Sequence, residues 1–249
     1  MKLHWEDDES TAYWAQRWTL PVRLALQSQY DGSNVRFTEA TWLKHIRQPR
    51  FPTYCFDATH RYLLPNPHTI ILCFQHEQYL EGLALVVAWG GMTRTKRHIY
   101  VQPLDGIEQA LRTCVLMTRH HATMQHAWHI LVHRLQWSSI ITSKVLHFLA
   151  RSLDIVDDPP VPFDNKVIAD QVWPRFQAAS RAIRQVNDPA LPMPWIDAQS
   201  SWQAYNRYMT AIRWWAHAKG WTTTQFENTI FEDYYPKSTT TDVPANTAL

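Results

Sequence analysis

Between Ser138 and Trp173 the chain carries two apolar stretches separated by a proline linker. The first is Ser138-Ser139-Ile140-Ile141-Thr142-Ser143-Lys144-Val145-Leu146-His147-Phe148-Leu149-Ala150-Arg151; Asp157-Asp158-Pro159-Pro160 follows, then Val161-Pro162-Phe163-Asp164-Asn165-Lys166-Val167-Ile168-Ala169. Proline cannot continue a helix, and Asp164 is a residue type suited to an N-cap. The pattern therefore predicts two consecutive helices with a short break. Lys144 falls in the first turn of one and Asp164 at the mouth of the other.

Helical periodicity recurs through the rest of the chain. A weak helix is expected over Ala12–Trp18, and a short one over Thr38–Ile46, capped by Thr38. Pro49, Pro52, Pro65 and Pro67 break up the segment after it. His76 to Trp89 has helical length, with Gly90-Gly91 as its stop. Further helices are expected from Asp105-Gly106 over Ile107 to His120, and from Ala122 to Leu135. The helix after Asp164 should reach Phe176. Ser201 caps a long helix from Trp202 to Lys219 with Gly220 as its end. Thr224-Gln225-Phe226-Glu227 has capping-box spacing and opens a short last helix ending near Tyr235.

Composition narrows the class further. The chain has 249 residues, enough to bury a sizeable core, with thirteen Trp and six Gly. Few Gly and few alternating Val/Ile runs exclude an all-β design. The three Cys are widely spaced, which sets up no disulfide framework and points to a reducing cytoplasm. Apolar runs at Thr69–Phe74 and Leu83–Trp89 are too short to span a membrane, so a soluble protein is expected. The net charge of +2 neither demands nor excludes nucleic acid, but basic residues gather at Arg94, Lys96, Arg97 and His98, and again at Arg175, Arg181 and Arg184.

An amine and a carboxylate on consecutive helix mouths have a chemical use. The positive end of the helix dipole disfavours an ammonium at Lys144, and partial burial favours the neutral, nucleophilic amine. A carboxylate at an N-cap stays ionised and can stabilise a developing cation.

The order Ser143-Lys144-Val145, then Val161-Pro162-Phe163-Asp164 twenty residues on, with Asn165-Lys166-Val167 behind it, resembles the helix-hairpin-helix DNA glycosylases, in particular the 8-oxoguanine DNA glycosylase branch. The resemblance covers about 35 of the 249 residues. Where that family carries Gly-x-Gly in its hairpin, this chain carries Ile140-Ile141-Thr142, a Gly-free version. The resemblance implies a mainly α, helix-hairpin-helix fold with two helical lobes around a central cleft. It divides the chain into an N-terminal lobe (1–105), a helix-hairpin-helix core (106–188) and C-terminal helices returning to the core (189–235), together one unit, before a disordered tail (236–249). It implies a monomeric, cytoplasmic hydrolase and lyase of double-stranded DNA, without cofactor, that excises a damaged or modified base, an 8-oxoguanine-like purine first. Lys144 would attack C1′ of the flipped-out nucleotide and form a Schiff base; Asp164 would stabilise the cationic sugar. Strand cleavage by β-elimination is open to such an enzyme. The reading requires the stretch from Ser138 to Ser143 to form the hairpin that leads into the Lys144 helix. Ser138, Ser139, Thr142, Ser143 and Arg94 would then hold DNA phosphates, and Trp89 and Trp202 would line the base pocket.

Other patterns point elsewhere. His126, His129 and His133 recur on one helix face, but no carboxylate or Cys stands at motif spacing, so no metal is assigned. Trp89-Gly90-Gly91-Met92-Thr93-Arg94 could approach a ligand closely, with Trp89 stacking a base and Arg94 on a phosphate, but reads more simply as a helix C-cap followed by a surface turn. The Trp202/Tyr205/Tyr208 stripe reads as core. Two rival functions follow: a non-catalytic helical DNA-binding or regulatory protein, and a protein–protein adaptor with an aromatic core.

Overall fold

The computed structural model describes residues 37–38, 62–63, 67–90, 99, 102–118, 123–153, 159–163, 201–218 and 220–226. These are mainly helical, with one antiparallel pair of two-residue strands, β1 (Phe37–Thr38) and β2 (Tyr62–Leu63). Thr38 lies at the end of a strand. The rest of the helix expected there, the Ala12–Trp18 helix, the helix after Asp164 and the tail lie outside the described residues.

Six helices carry the core: α1 (Pro67–Gln75), α2 (Tyr79–Trp89), α3 (Leu104–Thr118), α4 (Met124–His129), α5 (Ser139–Arg151) and α6 (Trp202–Ala218). Pro67 starts α1 rather than breaking it, because proline at the first helical position loses no hydrogen bond. Between α1 and α2 the chain turns at Glu77, whose φ is 58°. Glu77 N–H donates to Phe74 O and Gln78 N–H to Cys73 O, so α1 closes as a Schellman motif on a residue other than glycine. The single helix expected over His76–Trp89 therefore begins only at Tyr79. α2 is buried on every side from Tyr79 to Ala88 and forms the central strut. Gly82 lets it approach α1: a Cβ there would sit 2.6 Å from the Phe74 ring.

α6 ends as its sequence indicates. Ser201 Oγ accepts from Ala204 N–H at its start, and Gly220, at φ 69°, completes a Schellman stop with Trp221 N–H donating to Ala216 O. The following capping box is set two residues earlier than the sequence suggests. Thr222 Oγ1 accepts from Gln225 N–H, and Gln225 Oε1 accepts from Thr222 N–H.

The stretch expected as a hairpin, Ser138–Ser143, does not form one. α4 runs into a π-helical turn at Ile130–Arg134, where Leu135 N–H donates to Ile130 O and Trp137 N–H to Leu131 O. Gln136 takes the left-handed conformation, φ 56°, and Ser138 is extended before α5 begins at Ser139. The turn into the Lys144 helix is thus 135–138. Ser139 to Ser143 are already helix, because Ile141 faces the core while Thr142 and Ser143 are also fully buried. Lys144 stands in the second turn of α5, not the first.

Candidate active site

Lys144 is 3% exposed. Its Nζ lies 3.4 Å from the Gly90 carbonyl and 5.4 Å from the centre of the Trp89 ring. Trp89 in turn packs edge-on against Phe148, one turn along α5 from Lys144, with centroids 5.1 Å apart. The amine therefore meets the C-terminal end of α2. A carbonyl, the negative end of a helix dipole and an aromatic face each favour a cation there. This corrects the electrostatic argument from sequence, in which the α5 N-terminus dominated.

Against α5, Pro159–Phe163 runs as a buried strap that is neither helix nor strand. Burying bare backbone is costly unless its polar groups are paired. Three of its five residues are proline and bring no N–H. Side chains from two helices pair four of the groups that remain. His147 Nδ1 donates to Pro160 O at 2.7 Å, Tyr205 Oη donates to Val161 O at 2.8 Å, and Tyr208 Oη reaches Pro162 O at 3.5 Å. Phe163 N–H donates to Ser143 Oγ at 2.8 Å, and that hydroxyl donates onward to Ile140 O at 3.0 Å. Phe163 packs edge-on against Tyr208, with centroids 5.3 Å apart.

Electrostatics keep these clamps in one protonation state. Burial first, then the Arg151 guanidinium, pushes His147 down to about 3, so the ring is neutral with its proton on Nδ1. Arg151 lies 3.4 Å from Nε2 and donates to it. Burial raises the Tyr205 phenol far above its ordinary range and keeps it a donor. Burial also lifts the Cys114 thiol to about 12, which removes it as a nucleophile.

The remaining expected site residues fall as follows. Asp164 and Arg94 lie outside the described residues. Trp89 stands beside Lys144, the one pairing of expected residues that the described fold brings together across a long sequence separation. Trp202 is 9% exposed and packs on Trp128, which stacks on Tyr205 at 4.4 Å. That places Trp202 in an aromatic core cluster. Thr142 and Ser143 are 0% exposed, so neither hydroxyl can reach a phosphate, and the Ser143 hydroxyl is committed to Phe163. Ser139 is also buried, and Ser138 Oγ neither caps α5 nor finds another partner. His129 and His133 are exposed with rings 5.2 Å apart. Among the described residues no three His, Cys, Asp or Glu side chains gather as metal ligands, and no helix is long and apolar enough to cross a membrane.

His147, Tyr205, Tyr208 and the Gly90 carbonyl were not singled out from sequence as site components. The available signal was the strap: a proline-rich buried segment needs donors from elsewhere, and Tyr205 and Tyr208 are spaced to share a helix face. No protein-family model, no curated protein and no solved structure matches this chain.

Proposed function

We propose that this chain is a DNA N-glycosylase of helix-hairpin-helix type that removes a flipped-out damaged or modified base, with Lys144 as nucleophile and Asp164 as its electrostatic partner. The observation that carries the proposal is the Ser143–Phe163 hydrogen bond. It ties the residue before the amine to the residue before the carboxylate, although twenty positions separate them in each case.

The reaction requires Nζ, 3% exposed in the unbound protein, to become accessible to the extruded nucleotide and to have shed its proton; its lone pair then attacks C1′ as the N-glycosidic bond breaks, and the ammonium so formed passes a proton to the departing base. Opening of the sugar gives an iminium on Nζ. A cation there is stabilised by the Gly90 carbonyl and the Trp89 face. Loss of a C2′ proton to solvent, with departure of the 3′-phosphate, would then break the C3′–O bond by β-elimination. Trp89, half-buried beside the amine, is the aromatic surface available to an extruded base.

The hairpin this reading required over Ser138–Ser143 is not formed, since Ser139–Ser143 are helix, which counts against the reading; it stands only with the turn at 135–138 in that place. The phosphate role moves with it, from the buried Thr142 and Ser143 to the exposed Gln136 and to the first amides of α5, which Ser138 leaves without a side-chain cap.

Borohydride trapping tests the proposal. Duplexes carrying single modified bases, 8-oxoguanine first, should yield a covalent adduct that Lys144→Ala abolishes. Salt-dependent duplex binding with neither adduct nor abasic site on any duplex would instead establish a non-catalytic DNA-binding protein. Absence of DNA affinity would leave the protein–protein adaptor.

A further inference from the structure

We propose that His129 and His133 form a two-imidazole chelate for a divalent transition-metal ion, zinc first, which staples the end of α4 to the π-helical turn after it. The inference is independent of the glycosylase reading and uses none of its residues. His129 is the last residue of α4, and His133 lies within the π-helical turn Ile130–Arg134. Positions four apart on a helical surface are neighbours. Both histidines are exposed, while Leu131, Val132 and Leu135 are buried in the core.

The ring separation singles the pair out. With metal–nitrogen bonds of about 2.0–2.1 Å and tetrahedral angles, two imidazole centres on one zinc ion stand about 5 Å apart. The His129 and His133 centres are 5.2 Å apart, with the ring planes at 66°. Turning an imidazole about its Cβ–Cγ bond is a soft motion that leaves the ring centre nearly in place. Both rings can therefore aim a nitrogen at one point without changing their separation. The π turn is a second observation: such turns are rare and gather at functional sites, and this one carries His133. Among the described residues no third histidine, cysteine or carboxylate joins the pair, so the chain supplies two ligands and water takes the other positions. The exposed Arg134 beside them opposes a cation, which keeps the site weaker than a four-ligand one. An ion on both rings would restrain the turn whose Leu135 and Trp137 amides donate back to Ile130 O and Leu131 O.

Zinc titration of the full chain at about pH 7.5, where free imidazole is mostly neutral, tests the site. The chain has thirteen His, so the readout must resolve single rings. The ring C–H NMR signals of His129 and His133, assigned by their loss in His129→Gln and His133→Gln, should shift together and saturate at micromolar zinc. Either substitution should weaken zinc binding at the remaining ring by more than about tenfold, because the second imidazole otherwise binds intramolecularly. His126→Gln, one turn earlier and outside the pair, should change the affinity by less than about twofold. Zinc should also slow amide exchange at Leu135 and Trp137 in the unaltered chain and in neither ligand variant. All three replaced side chains are exposed, so far-UV circular dichroism should show each variant folded. Separate titration of the two rings, unchanged affinity in either ligand variant, or saturation only at millimolar zinc would overturn the proposal. So would an equal loss of affinity in His126→Gln, or amide exchange at Leu135 and Trp137 that zinc leaves untouched.

Discussion

Ser143 Oγ accepts the Phe163 N–H at 2.8 Å, binding the helix that carries Lys144 to the strap that leads into Asp164. A serine buried in a helix interior is normally neutral to unfavourable, since its hydroxyl competes for backbone partners. Here both capacities of the hydroxyl are used, one toward Ile140 O and one toward the strap. The bond also explains why the Ser-Lys and Val-Pro-Phe-Asp segments occur together: the prolines reduce the donors of a buried strap, and the serine satisfies one that remains. The aromatic stripe of α6 completes the arrangement through Tyr205 and Tyr208.

Lys144→Met separates chemistry from stability. Methionine follows nearly the same path against Trp89 and brings no charge to desolvate, so unfolding free energy should change by less than about 1.5 kcal/mol. The borohydride adduct should vanish completely. Urea midpoints and trapping on the same preparation check both halves; a persistent adduct, or a loss above about 3 kcal/mol, would contradict the assignment.

Much of the helical content was legible because its signals are local. Apolar periodicity marks α3, α5 and α6, and Gly220 marks the stop of α6 at a φ that favours glycine. The hairpin expected over Ser138–Ser143 is absent for a physical reason. Ser138, Ser139, Thr142 and Ser143 resemble a polar loop, but Ser138 is the N-cap of α5 and the other three lie within it, buried among its apolar residues, with the Ser143 hydroxyl donating back to Ile140 O. The real turn uses Gln136 where glycine would signal it. The Lys144–Trp89 pairing was beyond any local pattern, since the two residues lie on helices separated by α3, α4 and the turn.

Gly82 and Gly220 should respond to alanine for opposite reasons. At Gly82 alanine gains about 1 kcal/mol of helix propensity but drives a Cβ to 2.6 Å from the Phe74 ring. Overpacking of about 1–3 kcal/mol should prevail, and Phe74→Leu should relieve it in the double variant. At Gly220 nothing lies within 4 Å, and the cost comes from φ at 69°. Gly220→Ala should lose about 1 kcal/mol, with no relief from Phe74→Leu. A thermodynamic cycle from urea denaturation distinguishes the two.

His147 makes stability depend on pH. The folded ring stays neutral down to about 3, against 6.5 for the free side chain. Above 6.5 both states are neutral and the residue adds no pH dependence. Below that value the unfolded chain binds a proton that the folded chain refuses. Stability should therefore fall toward acid by about 1.4 kcal/mol per pH unit, levelling only near the folded value. His147→Gln should flatten the slope between about pH 6 and 4 by one proton. A ring that titrates near 6.5 by NMR in the folded protein would refute the buried neutral tautomer.

Gln136→Gly tests the turn at 135–138 directly. Gln136 is exposed at φ 56°, a conformation that costs a non-glycine residue about 1–2 kcal/mol. Glycine removes that cost but adds unfolded-state entropy of about 0.5–1 kcal/mol, leaving a net gain of about 0.5–1 kcal/mol. Glu77→Gly, at φ 58°, should gain nothing net. It gives up the 2.9 Å ion pair with Arg112, which exposure of 55% and 63% limits to a few tenths up to about 1 kcal/mol. A stability rise in Gln136→Gly alone would place the turn at 135–138, where a helix-hairpin-helix would need its glycine. A loss there would mean that Gln136 does not adopt the left-handed conformation, and that the chain enters the Lys144 helix by another route.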